Sequence, residues 1–241
     1  ADSGRRIFQI GETYGSADLI SSYLGTGMLD AQFDFNLYDK AIVAFGKDDA
    51  GVEDLVRVAQ EGLDTYGAHH LMGTITGNQD RPRFASLAEG TVRWEEDHKL
   101  AGWTRQIDRN GLRGHHAMRM LTAFNLTMPG VPCLYQGDEY ADVGGNDPDN
   151  RRMVRFNALD ADEADTRDHV AEWNRLRRSR MSLLYGQTTI EALPTGLLRI
   201  ERQYLDETTT VYINPTPSPV AIDVMSRVVA CLLYTSPSPR D

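Results

Sequence analysis

Three short apolar runs, each stopped by a cluster of glycine, amide or acidic residues, constrain this 241-residue chain more than any other feature. Ile7 to Ile10 ends at Gly11-Glu12, Leu71 to Thr76 at Gly77-Asn78-Gln79-Asp80, and Val131 to Tyr135 at Gln136-Gly137-Asp138-Glu139. Runs of this length suit strands buried on both faces of a parallel sheet, and the polar residues after them suit loops that carry function. Phe33 to Leu37 alternates aromatic and polar residues and reads as a further strand.

Helical periodicity fills the intervals. From Gly51 to Tyr66 the apolar residues Val52, Leu55, Val56, Ala59, Leu63 and Tyr66 recur at helical spacing, with Gly67 at the stop. Asp97 to about Met128 carries the same pattern, clearest across Ala117, Met120, Leu121 and Phe124, and ends at Pro129-Gly130. Gly137 to Arg152 is a polar loop, and Asp160 to Ser179 a charged helix carrying Val170, Trp173 and Leu176. After Tyr185 the period becomes two, so Leu197 to Gln203 and Thr209 to Ile213 read as antiparallel strands. The order predicts α/β units on a parallel sheet, followed by a small all-β module.

A formal charge of −10 and a pI near 5.1 argue against nucleic acid or an anionic membrane surface as partner, and a neutral substrate is compatible with them. The most apolar runs fall short of the roughly 20 residues that cross a bilayer. Cys133 and Cys231 make no metal-ligand cluster, and Cys133 reads as a buried small hydrophobe.

Two acids, Glu12 and Asp80, follow predicted parallel strands, and in a barrel such strand ends share one face. Taken singly, each is more simply a surface acid or a helix cap. The words around them change that balance. Phe8-Gln9-Ile10-Gly11-Glu12 resembles the fifth-strand motif of the α-amylase family (glycoside hydrolase family 13), and Gly77-Asn78-Gln79-Asp80-Arg81-Pro82-Arg83-Phe84 resembles its seventh-strand Asn-His-Asp motif. Met128-Pro129-Gly130-Val131-Pro132-Cys133-Leu134-Tyr135-Gln136-Gly137-Asp138-Glu139 resembles its eighth-strand signature. The resemblance runs from about Ile7 to Asn214 and takes in Asn150-Arg151-Arg152-Met153.

The resemblance implies the C-terminal half of a (β/α)8 TIM barrel, strands 5 to 8, over residues 1–185, and the start of a C-terminal β-sandwich domain over 186–230. It implies a retaining glycosidase or transglycosylase acting on α-glucosidic linkages of starch, maltooligosaccharides or small glucosides. Glu12 is then the general acid/base and Asp80 the carboxylate that binds sugar hydroxyls and stabilises the transition state. Asn78 and Gln79 become substrate contacts. Gln79 stands where the family usually has His: its amide can bond a sugar hydroxyl but cannot carry charge. Arg83 reads first as an ion-paired loop anchor and second as a substrate contact. No cofactor is implied for this segment, and any Ca2+ of the parent protein would belong to the upstream part of the barrel.

The family's nucleophile, an Asp in an Arg-x-Asp motif after the fourth strand, has no counterpart: only eleven residues precede Glu12, and Asp2 in Ala1-Asp2-Ser3-Gly4 matches nothing of that motif. A retaining mechanism needs that carboxylate, so the expectation is a segment inactive by itself, with open strand edges that invite association. Cys231 to Asp241 resembles the conceptual translation of a sequencing adapter and is set aside as non-native. Without an upstream end, localisation is unreadable.

Two other classes compete with an enzyme: a non-catalytic amylase-like interaction protein and a sugar-binding module. Both acids being in place disfavours the first, and their strand-end placement the second. Among the other eye-catching residues, His69-His70 and His115-His116 read as polar surface or capping groups. Trp94, Trp103 and Trp173 read as packing groups, and Asp142, Asp147 and Asp149 as a solvated acidic turn rather than a Ca2+ loop.

Overall fold

The computed structural model describes residues 7–25 and 28–223, so Asp2 and the Cys231–Asp241 tail lie outside the described residues. Four short parallel strands, β1 (Ile10–Gly11), β2 (Ala31–Gln32), β3 (Gly73–Ile75) and β4 (Val131–Cys133), lie side by side in chain order. Ile10 faces Ala31, Phe33 bridges Gly73, and Gly73 to Ile75 run beside Val131 to Cys133. Close approach explains the glycines in this sheet. A Cβ at Gly73 would stand 2.7 Å from the Phe33 ring, and one at Gly130, held at φ +100°, would stand 2.2 Å from the Met72 carbonyl oxygen.

Helices cover the sheet. Between β1 and β2 stands the single-turn α1 (Ala17–Ser21). Between β2 and β3 lie α2 (Phe35–Gly46) and α3 (Glu53–Tyr66), which stops at Gly67, φ +92°. Between β3 and β4 lie α4 (Phe84–Glu89), α5 (His98–Thr104) and α6 (Arg113–Thr127). After β4 come α7 (Ala161–Ser179), opened by a capping box between Asp160 and Glu163, and α8 (Met181–Tyr185). An antiparallel meander follows: β5 (Gln187–Ala192), β6 (Leu198–Tyr204) and β7 (Glu207–Ile213), with Leu198 opposite both Ala192 and Ile213.

One continuous core joins these layers. Phe35, Phe45, Leu55, Leu121 and Phe124 from the helices pack in the same cluster as Ile190, Leu198, Ile200 and Val211 from the meander. The junction is also polar. Arg177 of α7 donates to the carbonyls of Leu126, Met128 and Gly130, and Arg202 of β6 donates to Thr127 and Gly186. Helix α6 ends here, and its last carbonyls have no partner within the helix, so two buried guanidinium groups satisfy that negative end. Burial brings both guanidinium pKa values down to about 10, with Arg177 adding to the shift at Arg202.

Two readings of the sequence are corrected. Phe33 to Leu37 is not a strand: pairing with the sheet stops at Phe33 and the Asp34 N–H, which donates to the Gly73 carbonyl at 2.9 Å, and the Asp34 side chain caps α2 by accepting from the Leu37 amide at 3.0 Å. The alternation there is the first turn of a helix whose Phe35, Tyr38, Ile42 and Phe45 all turn inward. His115 is no surface or capping group; it is 2% exposed, bonds the Thr166 hydroxyl at 2.8 Å, and has its pKa lowered to about 4 by burial and by Arg109 and Arg119.

Candidate active site

Glu12, Asp80 and the loop from Gly137 to Arg152 all follow the C-terminal ends of parallel strands, β1, β3 and β4 respectively. Parallel pairing puts these ends on one side of the sheet, the face on which barrels of this type build their sites. Glu12 and Asp80 are both exposed.

Each acid is held by local chemistry. The Tyr14 hydroxyl donates to Glu12 Oε1 at 3.2 Å, and the Tyr14 ring stacks on Phe35 with centroids 4.2 Å apart. Asp80 accepts from the Gln79 amide at Oδ2, 3.0 Å away, and pairs with Arg151 through Oδ1 at 3.3 Å. Its own backbone N–H donates to Asn78 Oδ1 at 3.0 Å, which curls the loop. Asn78 and Gln79 are therefore folded around Asp80, half-buried beside it.

The curl is latched from the β4 side. Asn150 is fully buried, and its Nδ2 donates to the carbonyls of Asn78, Gln79 and Arg81 at 3.3, 2.9 and 2.7 Å. Asn146 adds a bond from Nδ2 to the Asp80 carbonyl at 3.0 Å. Neither latch is visible as a short-range pattern, because about 70 residues separate the partners; the only trace in the sequence is an amide-rich loop after a strand.

Arg83 lies underneath. Its side chain is 1% exposed and pairs with Asp138 at 2.9 Å, with Nη1 also donating to the Gln136 carbonyl at 2.6 Å. Asp138 takes a second bond from the Thr76 hydroxyl at 2.6 Å, and Tyr135 donates its N–H to the same hydroxyl. Burial pushes the Asp138 carboxyl pKa up, against the pull of Arg83 and Thr76. This position ties the β3 and β4 loops together below the surface, out of reach of a ligand.

The acidic loop is ion-paired. Asp142 lies 3.6 Å from Arg155, Asp147 2.7 Å from Arg151, and Asp149 2.8 Å from Arg152. Among the described residues no group of three His, Cys, Asp or Glu side chains is placed to hold a metal ion, and no helix is long and apolar enough to cross a membrane. Of the tryptophans, Trp173 is buried and Trp94 half-buried against the core, whereas Trp103 stands 68% exposed on α5.

The chain is similar to known proteins over most of its length. A β/α-amylase of Paenibacillus polymyxa is 26% identical over 88% of this chain and 16% of its own length, and a cyclomaltodextrinase of Geobacillus thermopakistaniensis is 23% identical over 94% and 35%. Among solved structures, an Anoxybacillus α-amylase superposes with a TM-score of 0.71 at 28% identity, over 87% of this chain and 41% of that one. The α-amylase of Geobacillus thermoleovorans, complexed with acarbose, does so with 0.69 at 29%, over 87% and 42%. This chain thus spans less than half the length of each, and folds as the second half of their (β/α)8 barrel with the following antiparallel strands. With the family profile "Alpha amylase, catalytic domain" matching residues 1–180, the chain belongs to the α-amylase family.

Proposed function

We propose that this segment carries part of the active site of a retaining glycoside hydrolase or transglycosylase that acts on α-glucosidic linkages. The observation that carries the reading is the shared strand-end face of Glu12 and Asp80, with the Asn78-Gln79 loop wrapped around the second acid. Glu12 is the general acid/base: it gives its proton to the leaving glycosidic oxygen and later takes one from the attacking water or hydroxyl. Asp80 supplies negative charge beside the oxocarbenium-like centre and accepts hydrogen bonds from sugar hydroxyls. Gln79 offers a neutral amide to the same sugar. The covalent step needs a third carboxylate, which this segment does not supply, so turnover requires the upstream half of the barrel.

The test is to express the whole open reading frame that contains this segment and assay it on maltooligosaccharides and cyclodextrins beside its Glu12→Gln variant. The reading predicts turnover that falls by several orders of magnitude in the variant, with folding unchanged. Undiminished turnover would remove Glu12 from the acid/base role, and tight glucan binding with no turnover in the parent would favour the non-catalytic alternative.

A further inference from the structure

The end of β1 and the Asp80 loop are joined by side chains that the acid/base chemistry itself does not use. Tyr14 lies two residues after Glu12, donates its single hydroxyl proton to Glu12 Oε1 at 3.2 Å, and is fixed in orientation by its near-parallel stack on Phe35. Arg81 follows Asp80 directly. Its guanidinium sits 5.7 Å from the centroids of both the Tyr14 and Phe35 rings and 5.9 Å from that of Tyr38, and pairs with Asp39 of α2 at 3.1 Å. A cation over three aromatic faces and held by one carboxylate has a defined place. Two loops from different strands therefore meet at one aromatic platform on α2.

We infer that Tyr14 is a positioning residue for Glu12, and that Arg81 couples that position to the loop carrying Asp80. The bond from Tyr14 occupies one carboxyl oxygen and fixes the plane of the group, which leaves Oε2 as the oxygen that meets the glycosidic oxygen. The Tyr14 to Arg81 contact sets the spacing of the two acid-bearing loops, so a shift of either loop moves both acids. The role rests on the hydrolase reading above; the coupling itself does not. Burial first, and Glu12 with it, hold the Tyr14 phenol above its ordinary range, and Arg81 pulls against them.

The coupling is tested on the 241-residue chain labelled at tyrosine Cζ with 13C, the Tyr14 signal being assigned with Tyr14→Phe. Glu12→Gln should lower the midpoint of Tyr14 ionisation and Arg81→Gln should raise it; these opposite movements are not expected of a ring that merely packs. Both substitutions are at partly exposed side chains, and either one alone decides if the other misfolds. A midpoint indifferent to the folded variants overturns the coupling. In the full open reading frame, Tyr14→Phe should lower kcat about five- to tenfold, the worth of one hydrogen bond at the reacting group, with KM within about twofold. Wild-type turnover in Tyr14→Phe overturns the positioning role and leaves the hydrolase reading standing, whereas a parent with no turnover on α-glucans overturns that reading and Tyr14's role with it.

Discussion

Arg83 and Asp138 form a 2.9 Å ion pair with 1% and 2% of their side chains exposed, directly beneath the loops that carry the candidate site. A buried pair of this kind contributes little over an apolar substitute, but losing one partner strands the other. Arg83→Met should therefore cost about 3–5 kcal/mol, lowering the thermal midpoint by roughly 10 °C for a chain of this size. The loss should shrink in acid, where the Asp138 carboxyl, already shifted upward by burial, holds a proton and needs no cation. Calorimetry at neutral and acidic pH checks this; an equal loss at both would place the cost in packing instead of charge.

Asn150 is the second relationship with a measurable consequence. It holds three carbonyls of the 78–81 segment from one buried amide nitrogen, while its Oδ1 has no partner. Asn150→Asp replaces the donor by an acceptor facing three acceptors and should destabilise more than Asn150→Ala, which costs about 1–3 kcal/mol for the unsatisfied carbonyls. Urea titration of both variants decides the order.

Asp34 links stability to pH. It caps α2 while buried, and its carboxyl pKa is raised to about 6 by that burial, with the Leu37 N–H opposing and Glu61 adding. The folded state thus holds a proton more tightly than the unfolded chain, so stability falls as pH rises from the ordinary aspartate value of 3.8 to about 6, and the full cost persists above. Asp34→Asn retains a capping oxygen and removes the charge. It should gain on the order of 1–2 kcal/mol at neutral pH and close to nothing below the window, as read by denaturant midpoints across pH.

Gly130 stands at φ +100°, against the Met72 carbonyl, and passes its own carbonyl to Arg177. Gly130→Ala should destabilise by more than about 2 kcal/mol, since strained backbone and a direct clash add. Gly67→Ala, at φ +92° with open space around its Cβ position, should cost only the backbone strain. Thermal melts of the two separate clash from conformation.

The strands at Ile10, Gly73 and Val131, the helices after Gly51 and Asp160, and the change to a two-residue period after Tyr185 were legible in the sequence because each is written in neighbouring residues. The split of the 97–128 stretch into α5 and α6, the polar edge strand β5, and the helix that starts at Asp34 were not: in each, local pattern is weak or misleading, and packing selects the period. Glu12 and Asp80 were singled out as candidates by the words around them. What tertiary structure alone decided is how they are held: Tyr14 on Glu12, Arg81 on the α2 platform, Asn150 on three carbonyls, Arg83 beneath. A side chain's chemistry is fixed by its identity, but its partners lie tens of residues away along the chain, and only folding brings them within hydrogen-bonding reach.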